Sequence, residues 1–189
     1  MTRVGVFGGS FDPPHRAHYE IATLAIRQIP LDKLYLVPAF HALLSEQVPL
    51  TSADHRLAMV RLLAQQLPGS SVLTYELEKK RPVPTIETME YLHDLEGGAQ
   101  YYLLIGGDQA ARFTRWKQWE RLAELAQVIC FHRPGSVPDE QLRTRATFID
   151  YSSDLTSTAV RESIRSDGLD DGVLSSAVAE YIDRLGLYK

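Results

Sequence analysis

Short apolar runs alternate along this chain with longer segments whose apolar residues recur at helical spacing. The runs that predict strands are 3–8, 33–38, 71–77, 101–105, 127–131 and 146–149. The helical segments are 15–29, 52–66, 85–95, a broken helix over 109–125, 156–165 and 171–185. Strands separated by helices of about ten residues pair in parallel, because a parallel neighbour needs a long crossover. The pattern therefore predicts a doubly wound α/β fold with helices on both faces of a parallel sheet.

In such sheets, ligands bind beyond the carboxyl ends of the strands, near the point where the strand order reverses. The loops after Phe7, Val37, Ile105 and Phe131 are therefore the expected place for a functional site. The 189 residues fit one domain, and the chain shows no internal repeat and no interdomain linker.

Composition limits the possible binding partners of the chain and the cellular compartment in which it is expected. The formal net charge of −4 argues against a general nucleic-acid coat, because such a surface needs many basic residues. A small anionic ligand needs only a local positive site and stays compatible with that charge. The single cysteine, Cys130, lies in an apolar run and predicts a buried thiol in a reducing cytoplasm. No run approaches membrane-spanning length, so no membrane partner is expected, and the formation of a homo-oligomer is left open.

The strongest chemical signal is the segment 8–18, GGSFDPPHRAH, between the first predicted strand and the first predicted helix. Glycines let the main chain approach phosphate oxygens, prolines favour a helix start, and the amides of that start face an anion. His15 and His18 are three residues apart, so both rings are expected on one face, where each donates to a triphosphate. The segment is neither the GxGxxG of dehydrogenases nor a GxxxxGK[ST] phosphate loop.

A second anion site is predicted at 155–161, LTSTAVR. Hydroxyls stand at a helix start, and Arg161 follows one turn later on the side shared with Ser157 and Thr158. Taken alone, the segment is also compatible with an N-capped helix that carries a surface arginine.

A third segment, IGGD at 105–108, ends a predicted strand. Asp108 is expected to accept hydrogen bonds from ribose hydroxyls, and glycines such as Gly106 leave room for an adenine ring. Its plain alternative is a turn that caps the next helix.

Together these segments resemble the HxGH nucleotidyltransferase superfamily. The GxD segment, with Phe113, Trp116 and Trp119 downstream, is similar to the GxD and FxxW pattern of the nicotinate-nucleotide branch. Further similarities are PTIET at 84–88 to a YTIDT segment, HRPG at 132–135 to an RPG turn, and the stretch 181–188 to a YIxxxxLY ending.

The resemblance implies transfer of the adenylyl group of ATP to nicotinate mononucleotide, which gives deamido-NAD and pyrophosphate in NAD biosynthesis. His15 and His18 would stabilise the transition state at the α-phosphorus. Trp116 would stack on the pyridine ring, with core packing as its alternative, while Thr85 and Arg133 would also bind the acceptor. Mg²⁺ would accompany ATP, and no protein-ligated metal is expected. The residues expected to bind ATP and its phosphates are Gly8, Gly9, Ser10, Phe11, Gly106, Asp108, Ser157, Thr158 and Arg161.

Two positions depart from the family pattern. Ala17 stands where the family has glycine between its histidines, and its methyl group is expected near the nucleotide. After Pro38 the family carries a PPHK or PPHR segment, whereas FHALLS at 40–45 contains no lysine or arginine. The candidates to supply the missing positive charge are His41, Lys79, Lys80 and Arg81.

Three alternatives stay open from the residues alone. One is the same chemistry with nicotinamide mononucleotide, phosphopantetheine or a sugar phosphate as acceptor, although Trp116 disfavours phosphopantetheine. Another is a nucleotide-binding paralogue without catalysis, suggested by Ala17 and the missing cation. The last is a hydrolase in which Asp12, His15 and His18 bind a metal ion.

Overall fold

A parallel sheet runs through the centre of the molecule. The computed structural model describes residues 1–44, 48–132, 137–166 and 171–189. Its strands are β1 (Arg3–Gly9), β2 (Lys33–Pro38), β3 (Ser70–Val72), β4 (Gln100–Gly106), β5 (Ala126–His132) and β6 (Ala146–Asp150). They form one sheet in the order β3-β2-β1-β4-β5-β6, and every neighbouring pair is parallel. This is the Rossmann-like, doubly wound order, so the predicted fold class is confirmed.

Helices connect the strands. They are α1 (Arg16–Gln28), α2 (Ala53–Ala64), α3 (Tyr75–Glu78), α4 (Thr85–Leu95), α5 (Gly107–Ala110), α6 (Trp119–Leu125), α7 (Glu140–Arg143), α8 (Ser157–Arg165) and α9 (Ser176–Leu185). A 3₁₀ turn at Phe113–Arg115 separates α5 from α6, so the break predicted within 109–125 is confirmed. The hydroxyls of Ser52 and Thr156 cap α2 and α8. Within the described ranges, none of these helices has the length and apolar character that crossing a bilayer requires.

Alternate residues of the strands enter two different apolar clusters. On β4, Tyr101, Leu103 and Ile105 join one cluster, whereas Tyr102 and Leu104 join the other. Successive strand side chains point to opposite faces, so the two clusters lie on opposite sides of the sheet. Helices α4 and α6 contribute to the first cluster, and α1 and α2 contribute to the second. Burial on both faces explains why the strands are continuous apolar runs in the sequence.

The third predicted strand is partly wrong. The sequence predicts a strand over 71–77, whereas β3 ends at Val72 and the chain enters α3 at Tyr75. The main-chain nitrogen of Leu73 still donates to Leu36, and the chain then leaves the sheet edge. Apolar residues alternate through this stretch in either case, so periodicity did not distinguish the strand from the short helix. The last helix also begins later, at the start of α9, than the predicted start at 171.

The strand order reverses at β1. From β1 the chain moves outward through β2 and β3, crosses back to β4, and continues to β6 on the other side. The carboxyl ends of β1 and β4 therefore flank the switch point at which doubly wound folds bind their ligands. The loops that follow these two strands contain the glycine-rich segments selected from the sequence.

Candidate active site

The turn between β1 and α1 is closely packed. Phe11 has a left-handed main chain, with φ 48°, and its ring is 1% exposed. A Cβ atom on Gly9 would lie 3.2 Å from that ring, which is tighter than ordinary contact. The nearest atom to a Cβ on Gly8 would be the main-chain oxygen of Val37, at 4.0 Å. A side chain at position 9 would therefore press on the buried ring beside it.

His15 and His18 lie side by side at the start of α1. His15 is the N-cap of the helix, one residue before its first turn. The centroids of the two imidazole rings are 3.9 Å apart, and the ring of His18 also contacts Phe11 at 4.8 Å between centroids. The main-chain N–H of His15 donates to Nδ1 of His18 at 3.2 Å. The structure thus brings the two rings together, as their spacing predicts.

The environment keeps both imidazoles neutral. Burial lowers the pKa of His15 from 6.5 to about 4. Burial, together with the proximity of His15, lowers the pKa of His18 as well. Because Nδ1 of His18 accepts a hydrogen bond from the main chain, its neutral ring carries the proton on Nε2. An anionic ligand beside these rings would raise both pKa values, because it favours the charged form.

Nδ1 of His15 is a buried polar atom with no hydrogen-bond partner among the residues that the structure describes. Leaving such an atom unpaired costs about 1–3 kcal/mol.

The amides at the start of α1 are less free than the sequence implies. The main-chain nitrogen of Arg16 donates to the oxygen of Val173 at 2.8 Å, and that of His18 donates to the oxygen of His15 at 2.9 Å. The expected main-chain anion site at this helix start is therefore partly occupied by the protein itself. Contacts to an anion depend more on the imidazoles and on the glycine turn.

The start of α8 packs on the same turn, although the two segments are far apart in sequence. The hydroxyl of Ser157 donates to the main-chain oxygen of Pro13 at 3.1 Å. Arg161 donates from Nη1 to the main-chain oxygen of Asp12 at 2.8 Å and from Nη2 to the hydroxyl of Thr158 at 3.1 Å. The two segments that the sequence predicts as anion sites therefore form one assembly.

A cavity of about 960 Å³ opens beside this assembly. Its volume lies near the upper end of the range for small-molecule sites. The predicted residues that line it are Gly8, Gly9, Ser10, Thr85, Asp108 and Trp116. The other predicted residues within the described ranges lie outside its lining, namely His15, His18, Phe11, Gly106, Ser157, Thr158 and Arg161. One cavity therefore contains predicted nucleotide contacts and predicted acceptor contacts together.

Trp116 has a packed side and an open side. Its ring lies against Phe113, with 5.2 Å between centroids, and the half-buried side chain also lines the cavity. Thr85 is the first residue of α4 and lines the same cavity. Core packing and stacking on an aromatic ligand are thus compatible for this tryptophan.

Positive charge reaches the cavity from residues that the sequence did not single out. Arg112, Arg115 and Lys117 line it, in and around the 3₁₀ turn that precedes α6. His41 also lines it, as one of the four candidates for the missing cation. Arg112, Arg115 and Lys117 flank Trp116 in the sequence, and this position could have indicated that they belong to the site.

The other three candidates for the missing cation point elsewhere. The side chain of Arg81 pairs with Glu87 at 2.7 Å, and Nζ of Lys79 lies 4.8 Å from the centroid of the Tyr75 ring. Neither these residues nor Lys80 lines the cavity. The expectation that they supply its charge is therefore not supported by their placement.

A buried carboxyl group lines the cavity as well. Glu76 is 7% exposed, and its Oε1 accepts a hydrogen bond from the hydroxyl of Thr88 at 2.8 Å. Burial raises the pKa of Glu76 to about 7, against the opposing effect of that hydrogen bond. The charge on this wall of the cavity consequently changes around neutral pH. Because the sequence predicts a strand over 71–77, Glu76 was not recognised as a site residue.

Arg56 ties the loop after β1 to the loop after β2. It is 1% exposed, and Nη1 donates to the main-chain oxygens of Ser10 at 2.8 Å and Ala39 at 2.6 Å. Nη2 donates to the main-chain oxygen of Phe40 at 3.0 Å. Burial lowers the pKa of Arg56, while the Asp12 carboxylate opposes that effect. The helical pattern of α2 gave no sign of these contacts.

The cytidylyltransferase-like family model matches residues 6–163. A probable nicotinate-nucleotide adenylyltransferase from Chromobacterium violaceum is 34% identical over 210 residues, with 100% of this chain and 99% of that protein covered. One from Bordetella petrii is also 34% identical, over 200 residues, with both chains fully covered. The chain belongs to the nicotinate-nucleotide adenylyltransferase family.

A solved structure shares the fold at low sequence identity. The nicotinic acid mononucleotide adenylyltransferase of Plasmodium falciparum, solved in complexes with APC and with NaAD, matches with a TM-score of 0.79 at 18% identity. The match covers 100% of this chain and 98% of that chain. At this identity the likeness concerns the fold.

Two positions singled out by the family pattern are Ala17 and Arg133. Ala17, in place of the glycine between the histidines, is 6% exposed and does not line the cavity. Its methyl group packs inside the protein rather than in the cavity wall. Arg133, predicted to bind the acceptor, lies outside the described residues, as does the rest of the RPG turn.

The alternative of a metal-dependent hydrolase does not fit the turn between β1 and α1. Both carboxylate oxygens of Asp12 accept hydrogen bonds, from the main chain of Leu50 at 2.7 Å and from the hydroxyl of Tyr188 at 2.7 Å. Across the ranges that the structure describes, no three His, Cys, Asp or Glu side chains are grouped as metal ligands. The carboxylate needed beside the two imidazoles is therefore used within the protein.

Proposed function

We propose that this protein transfers the adenylyl group of ATP to nicotinate mononucleotide, which gives deamido-NAD and pyrophosphate in NAD biosynthesis. The observation that carries the proposal is one cavity lined by the glycine turn after β1 and by Asp108, Thr85 and Trp116. The full-length match to nicotinate-nucleotide adenylyltransferases supports the same reaction. Both substrates are small and anionic, which fits a chain of net negative charge with a local cluster of cations.

The reaction joins a phosphate oxygen of the acceptor to the α-phosphorus of ATP. The bond from that phosphorus to the oxygen bridging the α- and β-phosphates breaks, and pyrophosphate leaves with the electron pair. The acceptor phosphate is already anionic at neutral pH, so no protein nucleophile and no strong base are needed. Catalysis then consists of positioning and of stabilising negative charge.

His15 and His18 act as hydrogen-bond donors to the reacting phosphates. Their lowered pKa values mean that the rings meet ATP as neutral donors, and His18 donates from Nε2 because its Nδ1 is used by the main chain. Donors that are already in place cost little reorganisation as charge develops in the transition state.

The triphosphate is held by the main chain around Gly8 and Gly9 and by the hydroxyl of Ser10. The start of α8 completes this site with Ser157, Thr158 and Arg161. Arg161 uses one of its five donors on the turn, at Asp12, and another on Thr158 of α8. The buried ring of Phe11 supports His18 from within. Gly106 and Asp108 receive the adenosine.

The acceptor occupies the opposite part of the cavity. Trp116 stacks on the pyridine ring, and Thr85 contributes a hydroxyl at the start of α4. Arg112, Arg115, Lys117 and His41 supply the positive charge that a carboxylate and a phosphate require. Arg133 is proposed as a further acceptor contact from its sequence position alone.

Mg²⁺ enters as part of the substrate, bound to the oxygens of the triphosphate. This ion prefers phosphate oxygens, waters and one or two carboxylates over a dedicated protein cage. When bound, it neutralises charge on the leaving pyrophosphate.

A cytoplasmic location is part of the same proposal. Cys130 is a free thiol that is completely buried on β5, and burial raises its pKa to about 12. A lone, inert thiol without a disulfide partner is typical of proteins in a reducing compartment.

The test is to incubate the protein with ATP and Mg²⁺ and with one acceptor at a time. The acceptors are nicotinate mononucleotide, nicotinamide mononucleotide, phosphopantetheine and a sugar phosphate. Pyrophosphate release is measured, and the product is identified by mass. Release with nicotinate mononucleotide and a product of the mass of deamido-NAD support the proposal. Binding of ATP without pyrophosphate release from any acceptor would instead indicate a non-catalytic paralogue.

A further inference from the structure

Tyr188, which follows α9, reaches into the turn that carries the histidines. Its hydroxyl donates to Oδ1 of Asp12 at 2.7 Å, although 176 positions separate the two residues in the sequence. The same hydroxyl lies 3.1 Å from the hydroxyl of Thr51. Asp12 is 2% exposed and Tyr188 is 8% exposed, so solvent does not compete for the contact.

Asp12 connects four segments of the chain. Its Oδ2 accepts from the main chain of Leu50 at 2.7 Å, and its Oδ1 accepts from the main chain and the hydroxyl of Thr51. Its main-chain oxygen accepts from Arg161. The turn after β1, the residues before α2, the helix α8 and the segment after α9 therefore meet at one carboxyl-bearing residue.

The surroundings of Tyr188 hold its hydroxyl in place. The residue belongs to an apolar cluster of α8 and α9 that includes Val160 and Ile182. Its main chain has φ 66°, a left-handed conformation that a residue other than glycine keeps only when its contacts enforce it. Burial, with the Asp12 carboxylate, raises the pKa of Tyr188, so the phenol stays protonated and donates its hydrogen.

We propose that Tyr188 is a positioning residue for adenylyl transfer, a role that rests on the proposed function. It fixes the carboxylate of Asp12 and thereby holds the turn between Phe11 and His15. Phe11 precedes Asp12 directly and packs on the ring of His18, while His15 follows it after two prolines. A displacement of Asp12 therefore moves the supports of both imidazoles, because every residue from 11 to 15 is buried.

The buried hydroxyl of Tyr188 has Asp12 and Thr51 as its partners, so its removal should affect the chemical step more than substrate binding. Tyr188→Phe keeps the ring and removes only the donor. We expect kcat to fall about tenfold, because small misplacements of catalytic donors are costly, with KM for nicotinate mononucleotide within about twofold of the original value.

Tyr181→Phe is the matched control. The hydroxyl of Tyr181 lies 3.0 Å from Nδ1 of His55 on α2, so this variant removes a comparable contact without touching Asp12. Its kcat is expected to stay unchanged. Thr51→Val removes the neighbouring hydroxyl donor to the Asp12 carboxylate and is expected to lower kcat in the same way as Tyr188→Phe. It also serves as the test variant should Tyr188→Phe fold poorly.

A second measurement does not depend on turnover. Imidazole nitrogen NMR signals of His15 and His18 are expected to shift in Tyr188→Phe and to stay in place in Tyr181→Phe. Unchanged signals overturn the inference whether or not kcat falls, and so does a fall in kcat that the control shares. If the unmutated protein transfers no adenylyl group to any acceptor, the proposed function fails, while the NMR signals still decide whether Tyr188 holds the turn.

Discussion

The two histidines show how burial prepares a side chain for an anionic ligand. A charged imidazole would be costly to keep in this turn without a partner, and the low pKa of His15, about 4, means that the ring stays neutral instead. His18 is neutral for the same reason and is oriented by the main chain of His15. Under the proposed function, the phosphates of ATP would place negative charge beside these rings and would raise both pKa values.

His18→Ala should lower kcat by roughly 100-fold or more, the scale of removing one electrostatic donor from a transition state. The ring of His18 is supported by Phe11 and by the main chain of His15, so its loss removes a donor that is held in place. Steady-state kinetics with ATP and nicotinate mononucleotide provide the measurement. His93→Ala, at an exposed position of α4, is the control. Turnover of His18→Ala close to that of the control would exclude the assigned role.

The pH dependence of stability tests the burial of His15. Its folded-state pKa of about 4 lies below the ordinary 6.5, so between these values the unfolded chain binds a proton that the folded protein does not. The free energy of unfolding should therefore fall as the pH is lowered from 6.5 to 4, by at most on the order of 3 kcal/mol from this group. His15→Asn should remove that part of the decrease, as measured by denaturant unfolding at pH 7 and pH 4.

Glu76→Gln provides a comparison of opposite sign. The pKa of Glu76 is raised from 4.5 to about 7, so its contribution to stability is complete below pH 4.5 and is lost as the pH rises through 7. Relative to the original protein, the glutamine variant should gain stability as the pH is raised over this interval. For the prediction on His15, the free energy of unfolding would have to depend less on pH in His15→Asn than in the original protein. An equal dependence in both proteins would contradict the lowered pKa of His15.

At the scale of elements, the sequence predicted the inner strands of the sheet more accurately than the edge strand β3. Burial on both faces gives β2 and β4 continuous apolar runs, and the prediction over 33–38 coincides with β2. The helix predicted over 85–95 coincides with α4. At the sheet edge, β3 has three residues, too few for periodicity to separate from the helix that follows.

Site residues beside a distinctive local pattern could be predicted, and those defined by distant contacts could not. The glycine turn with His15 and His18 has a local signature. Arg56 acts through carbonyl groups 16 to 46 positions away in sequence, and the buried carboxyl of Glu76 accepts a hydrogen bond from Thr88 on α4. Arg115 lines the cavity because the 3₁₀ turn brings it there. Such roles depend on tertiary packing, which a single sequence does not reveal.

An added methyl group at Gly9 should destabilise the turn between β1 and α1. In Gly9→Ala the new Cβ would lie 3.2 Å from the ring of Phe11, and that ring supports His18. We expect a loss of about 1–3 kcal/mol in the free energy of unfolding, the usual cost of overpacking, together with a lower kcat. Gly97→Ala, whose Cβ would meet only ordinary contact at 3.9 Å, is the control. If the two variants have the same stability and kcat, the packing argument fails.

At the scale of the whole molecule, the site is assembled by the sheet topology. The reversal of strand order at β1 brings the loops after β1, β2 and β4 to one edge, and α8 returns from the end of the chain to pack on the first turn. Arg56 and Asp12 then bind these segments to each other by hydrogen bonds. A chain with net charge −4 thereby concentrates Arg112, Arg115 and Lys117 around a single cavity.

This local charge should set the preference between acceptors. Arg115 precedes Trp116 directly and lines the same cavity, so under the proposed function its positive charge should favour nicotinate, which carries a carboxylate, over neutral nicotinamide. In Arg115→Gln, KM for nicotinate mononucleotide should rise about three- to fivefold, the strength of a solvent-exposed ion pair, and the effect should shrink with added salt. KM for ATP and for nicotinamide mononucleotide should change less. Arg121→Gln removes the same charge from α6, where the side chain pairs with Glu90 away from the cavity, and should alter neither constant. An equal rise in KM for both mononucleotides would assign Arg115 to their shared phosphate instead, because only the ring substituent distinguishes the two acceptors.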